Sequence, residues 1–149
     1  MQIKPIESSS LYCVFADEMR PEADGRDNIL GWYQDGSKIV MPPEGPLVMD
    51  RLLVVAIMML PLEVKLFDLN FSLRLEGECL HQNAVPQKFF EDASTGAEKA
   101  SVHLRARMFR LAVQSSQLVI NSPGRLYGRI SMGDLLLDSN SLEFVRQGE

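Results

Sequence analysis

From Leu69 to Glu76 the chain reads Leu-Asn-Phe-Ser-Leu-Arg-Leu-Glu, so Leu69, Phe71, Leu73 and Leu75 alternate with Asn70, Ser72, Arg74 and Glu76. Side chains along a strand point to opposite faces with a period of two. This segment therefore has one apolar and one wet face, the mark of a half-buried antiparallel strand. The pattern returns at Leu126, Gly128, Ile130 and Met132, set against Tyr127, Arg129 and Ser131. It predicts an all-β chain whose sheets bury one face each.

Turn chemistry divides the rest. Leu11 to Glu18 is a first strand, and Ile29 to Gln34 a second, with Gly31 as a bulge or close-approach site. Between them, Pro21 fixes φ and Asp24-Gly25 supplies a positive-φ position, giving a hairpin with a long charged tip. Ser37 to Met41 is a short edge strand, and the prolines at 42, 43 and 46 make a loop. Arg51 to Leu60 is nearly all apolar. Periodicity does not separate buried strand from buried helix there, but Val54-Val55, Ile57 and the stop at Pro61 favour a strand covered on both sides.

Gly77-Glu78 closes the alternating strand, and Cys79 to Ala84 returns. Phe89 and Phe90 are placed as a cap over one end of the core. Val102, Leu104 and Ala106 alternate with His103, Arg105 and Arg107; Phe109, Leu111 and Val113 then take over the apolar face, which predicts a one-residue bulge at Met108. Leu118 to Ile120 reads as a brief strand before the turn Asn121-Ser122-Pro123-Gly124. Gly133-Asp134 suits a glycine-first hairpin turn. The last strand, Leu135 to Arg146, breaks at Asp138 to Ser141 and turns Leu142 and Phe144 inward. The sum is a single domain over residues 1–149, an antiparallel two-sheet sandwich of seven to nine strands, immunoglobulin-like, with Tyr127 bonding back to its corner.

Phe15-Ala16-Asp17-Glu18-Met19-Arg20-Pro21-Glu22, then Asp24-Gly25-Arg26 and Gly31-Trp32-Tyr33, resembles the opening of a family of small uncharacterised bacterial proteins. Those proteins begin with an aromatic, a small residue, Asp-Asp/Glu, Arg, an acid, Gly-Lys/Arg and Gly-x-Tyr, and close with a hairpin like Tyr127 to Val145. The resemblance implies one domain over most of the chain. It carries no known activity, cofactor or catalytic residue.

The composition narrows function more than it assigns it. A net charge of −5 opposes general phosphate binding, so nucleic acid is a disfavoured partner. Met1 to Ser10 has one lysine and no apolar core, and Leu52 to Leu60 is too short to span a bilayer. The expectation is a soluble cytoplasmic protein with no membrane role. Cys13 and Cys79 read as small buried hydrophobes, with a disulfide as the alternative if their strands adjoin. With His81 and His103 as the only histidines, no zinc spacing exists, and no nucleophile elbow or phosphate loop is present. The chain is expected to be no enzyme and to need no cofactor.

Three surfaces remain. Arg20, Glu22, Asp24, Arg26, Trp32 and Tyr33 form a protein-contact candidate at the hairpin. The acids Asp17, Glu18, Glu22, Asp24 and Asp27 are a weaker calcium or small-molecule candidate, lacking the ordered spacing of a calcium loop. His103, Arg105, Arg107 and Arg129 make a basic stripe for an anion or nucleic acid if their strands adjoin. The favoured reading is a binding or adaptor module for a protein partner, with a homodimer through a sheet edge as a further expectation.

Overall fold

Turn formers at Asp24-Gly25, Glu76-Gly77 and Gly133-Asp134 each separate two consecutive strands. The computed structural model describes residues 9–34, 36–61, 67–86, 88 and 106–148. Ten strands run through them: β1 (Ser10–Ala16), β2 (Glu18–Pro21), β3 (Asp27–Leu30), β4 (Lys38–Met41), β5 (Leu47–Pro61), β6 (Asn70–Leu75), β7 (Glu78–Ala84), β8 (Ala106–Ile120), β9 (Gly124–Met132) and β10 (Leu135–Arg146). They form a three-stranded sheet in the order β1-β5-β8, a five-stranded sheet in the order β4-β10-β9-β6-β7, and a β2-β3 ribbon. Among the described residues no helix is long and apolar enough to cross a membrane.

The all-β expectation holds, with two corrections. The strands exceed seven to nine because the expected first hairpin is bent at Asp17 and Gly31, which splits β1 from the ribbon. The five-stranded sheet is mixed, since β4 pairs with β10 in parallel, Lys38 opposite Glu143 and Met41 opposite Arg146. Alternation reports which face a residue takes and is silent on strand direction. Because β4 reaches β10 across most of the chain, no tight turn forces them antiparallel.

The two large sheets share one core. Leu11, Cys13 and Phe15 of β1, Leu52 to Met58 at alternate positions of β5, and Phe109 of β8 pack with Phe71 and Leu73 of β6, Leu126 and Ile130 of β9, and Leu142 and Phe144 of β10. The opposite face of β5 is also covered: Leu53 and Val55 cluster with Val14 and Ala16, and Met19 of the ribbon packs on them. The strand reading of the 51–60 run is therefore right, and Leu52 to Ala56 are apolar without a break because both faces are buried there.

Leu69 and, along β6, Phe71, Leu73 and Leu75 are buried as the alternation requires. On the face expected to be wet Ser72 is buried as well, and Arg74 reaches back to its Oγ at 3.0 Å and to the Gly77 carbonyl at 2.9 Å. At the β6–β7 turn both Glu76 (φ 47°) and Gly77 (φ 89°) are left-handed, the geometry that matches hairpin twist. β10 shifts register between Asp138 and Ser141, at the expected break.

Other expectations change. β8 shows no bulge at Met108: Ala106 to Ser116 pair with Pro61 to Arg51 in unbroken register. β8 runs on through Gln114 to Gln117, so Leu118 to Ile120 is the end of this strand and not a separate brief one. Tyr127 follows inward Leu126, so it faces out, its ring 5.8 Å from the Arg129 guanidinium, and does not serve as a corner tyrosine. Phe89, Phe90, Val102 and Leu104 lie outside the described residues.

Cys13 and Cys79 are both free; Cys13 is buried but Cys79 is exposed. A register shift in the β6–β7 pair puts Cys79 opposite Arg74, on the wet face, and so overturns the buried expectation. Burial pushes the Cys13 thiol up to about 11. The unfolded chain therefore releases this proton first. The thiol's stabilising contribution is complete below pH about 9 and is lost as pH rises toward about 11. Urea melts across that window should show a loss of up to about 2–3 kcal/mol that flattens in Cys13→Ala. A thiol reagent should label Cys79 in the native protein and Cys13 only on unfolding.

Candidate protein-docking site

The β2-β3 ribbon folds back over the outer face of the three-stranded sheet. Its pairing, Glu18 opposite Leu30 to Pro21 opposite Asp27, leaves Glu22 to Arg26 as an exposed tip. The ribbon is held from both strands. Arg51 of β5 bonds Glu18 at 3.2 Å, and Arg110 of β8 bonds Asp27 at 2.9 Å. The Gln114 side-chain amide donates to the Asp17 carbonyl at 3.4 Å.

At the ribbon's root the chain turns sharply. Gly31 has φ 69°, and a Cβ there would run into the Asp17 side chain, so both its backbone angle and its space demand glycine. Beyond it, the Tyr33 N–H donates to the Phe15 carbonyl at 2.8 Å, and the Tyr33 hydroxyl donates to Asp17 Oδ1 at 3.3 Å. Partial burial, followed by the Asp17 charge, raises the Tyr33 pKa. Tyr33 thus turns back onto β1, and Trp32 between these fixed points stands 58% exposed. Ile29 and Leu30, just before the turn, are also exposed beyond a third.

The carboxylates of the tip do not converge. Glu18 pairs with Arg20 at 2.8 Å as well as with Arg51, Asp24 pairs with Arg26 at 2.5 Å, Glu22 accepts from the Asn28 amide, and Asp27 meets Arg110. The Arg26 contact holds the Asp24 carboxyl below its ordinary value. Each acid of the calcium candidate thus has its own local partner. Among the described residues no three His, Cys, Asp or Glu side chains gather closely enough to hold a metal ion.

The basic candidates are scattered. His103 and Arg105 lie outside the described residues. Arg107 pairs through its backbone with Leu60 in the three-stranded sheet, whereas Arg129 stands on β9 of the five-stranded sheet. Arg129 grips Asp138 through two bonds, 2.6 and 3.1 Å, which holds the aspartate below its ordinary pKa. Beside them a groove of about 350 Å³ is lined by Glu76, Arg125, Tyr127, Asp138, Ser139 and Ser141. Its charges answer one another, Arg125 facing Glu76 at 3.7 Å.

Sequence reasoning singled out Trp32 but missed what aims it: the Gly31–Asp17 contact and the Tyr33 bridge to Phe15. Gly31-Trp32-Tyr33 was the available signal, a positive-φ residue beside two aromatics. No protein-family model, curated protein or solved structure matches the chain.

Proposed function

We propose that this chain is an immunoglobulin-like sandwich that acts as a binding module for another protein, with Trp32 at the ribbon's root as its anchor and the charged ribbon tip as a separate polar contact. The observation that carries the reading is a tryptophan 58% exposed on a backbone locked by Gly31 and Tyr33. Large aromatics dominate the energetics of protein interfaces, and a pre-set anchor loses little entropy on docking. Arg20, Glu22, Asp24 and Arg26 lie further along the same ribbon, toward its far end, and carry charges of both signs, which suits a partner's orientation more than its affinity. The mutual pairing of acids and arginines leaves little free charge for ion or phosphate chemistry, and so favours this reading over the calcium and anion alternatives.

Capture from a lysate of the source organism, with wild-type and Trp32→Ala baits in parallel, tests the proposal. Truncation should cost about 2 kcal/mol or more of binding, roughly thirtyfold, for any true partner. Folding stability should change by no more than about 0.5 kcal/mol, because the ring is mostly in water. Equal recovery of every protein by the two baits would contradict the assignment.

A further inference from the structure

Four strand edges bound the two large sheets, and three are guarded. β4 has only four residues and runs into Pro42-Pro43. β7 is polar, begins at Glu78 and carries a register shift. β1 is closed by the Asn140 side chain, which accepts from the Cys13 N–H at 2.8 Å and donates to its carbonyl at 2.9 Å, and by the Tyr33 bridge to Phe15. β8 differs. It runs for fifteen residues, no described strand pairs with its outer edge, and from Leu111 to Ile120 it holds no charge, proline or glycine. Soluble proteins ordinarily blunt such an edge with charge, proline or short length.

The same ten residues read alike in both directions. Leu-Ala-Val-Gln-Ser is followed by Ser-Gln-Leu-Val-Ile, class matching class about the Ser115–Ser116 bond. Burial obeys the same symmetry: Leu111 and Val113 turn inward as Leu118 and Ile120 do, and Ala112 faces out as Val119 does. The inward parity switches at Gln117, whose φ of 54° lets it do so. An edge strand that must pair with its own copy antiparallel about a two-fold axis needs this self-complementarity.

We infer that β8 is a homodimer interface, in which two copies join their three-stranded sheets edge to edge, the Leu111–Val113 block of one against the Leu118–Ile120 block of the other and Gln114–Gln117 against itself. Backbone hydrogen bonds supply the adhesion, and the uncharged segment avoids like charges meeting across the axis.

Sedimentation equilibrium from dilute to concentrated solution, on wild type and Ser116→Lys, tests this. Ser116 is exposed, so the lysine is tolerated in the monomer, yet near the axis it sets two ammonium groups against each other. Wild type should be a dimer, and the variant should weaken association by about tenfold or more with unchanged melting in dilute solution. In a Cys79→Ser background, a short thiol cross-linker should join two copies of Ser116→Cys and fail with Cys79 retained in place of that cysteine. A wild-type chain that stays monomeric throughout, or a dimer indifferent to Ser116→Lys and without the cross-link, overturns the inference. Neither result depends on Trp32, so the two proposals fail separately.

Discussion

Asn140→Leu is expected to lose about 2–4 kcal/mol of folding stability, the largest effect of any polar substitution proposed for this chain. The side chain sits in the β10 irregularity between Asp138 and Ser141 and takes the place of a neighbouring strand for Cys13, satisfying its N–H and its carbonyl together. Cys13 is itself 1% exposed, so water does not readily replace the amide. Leucine of similar size leaves both backbone groups unpaired, at about 1–3 kcal/mol each when buried. Ser139 supports the arrangement, accepting from the Gly128 N–H at 2.8 Å and donating to the Asn140 carbonyl at 2.7 Å. Asn140→Asp should fall nearly as far, because a carboxylate cannot donate to the Cys13 carbonyl. Urea denaturation measures both. A loss below about 0.5 kcal/mol for the leucine variant would mean that the amide does not hold the sheets.

Gly128→Ala should cost about 2–3 kcal/mol and Gly128→Val more, again by urea denaturation. At this buried residue β9 leaves no room for a side chain against Cys13 of β1 in the facing sheet. A Cβ there would stand 2.7 Å from Cys13 Sγ and 2.9 Å from the Phe71 ring, and both neighbours are buried on all sides. Removing the sulfur should restore part of the loss, so Cys13→Ala combined with Gly128→Ala should be more stable than the sum of the single changes by about 0.5–2 kcal/mol. Phe71 keeps its contact, which makes the rescue incomplete. Strict additivity would place the two residues apart and undo the shared core.

These two sites show where the sequence was legible and where it stopped. Period-two alternation placed the buried faces of β6, β9 and β10, because burying one face of a sheet leaves that imprint on every strand. Gly133-Asp134, with Gly133 at φ 57°, marked a hairpin for an equally local reason. The β10 break was visible as Asp-Ser-Asn-Ser inside an apolar strand, yet nothing local says that Asn140 reaches a strand 127 residues away. Sheet membership is likewise long-range: Arg107 and Arg129 make one stripe only if their strands adjoin, and they belong to different sheets. Leu118 to Ile120 reads as a separate brief strand because the polar run Gln114–Gln117 interrupts the apolar alternation of what is one strand, β8. At the candidate site, Trp32 and the tip charges were evident from residue type, whereas the pinning of the ribbon by Arg51 and Arg110 depends on its folding back across β5 and β8.

The chain contains a single tryptophan, which makes the docking proposal directly observable. Protein labelled with 5-fluorotryptophan gives one fluorine resonance, from Trp32 alone, whatever the partner contains. Titration with a protein captured in a Trp32-dependent manner should shift that resonance and shield it from a water-soluble paramagnetic agent at saturation. A resonance that neither moves nor gains protection when the partner is fully bound would contradict the account of Trp32 as the anchor of a protein-binding surface.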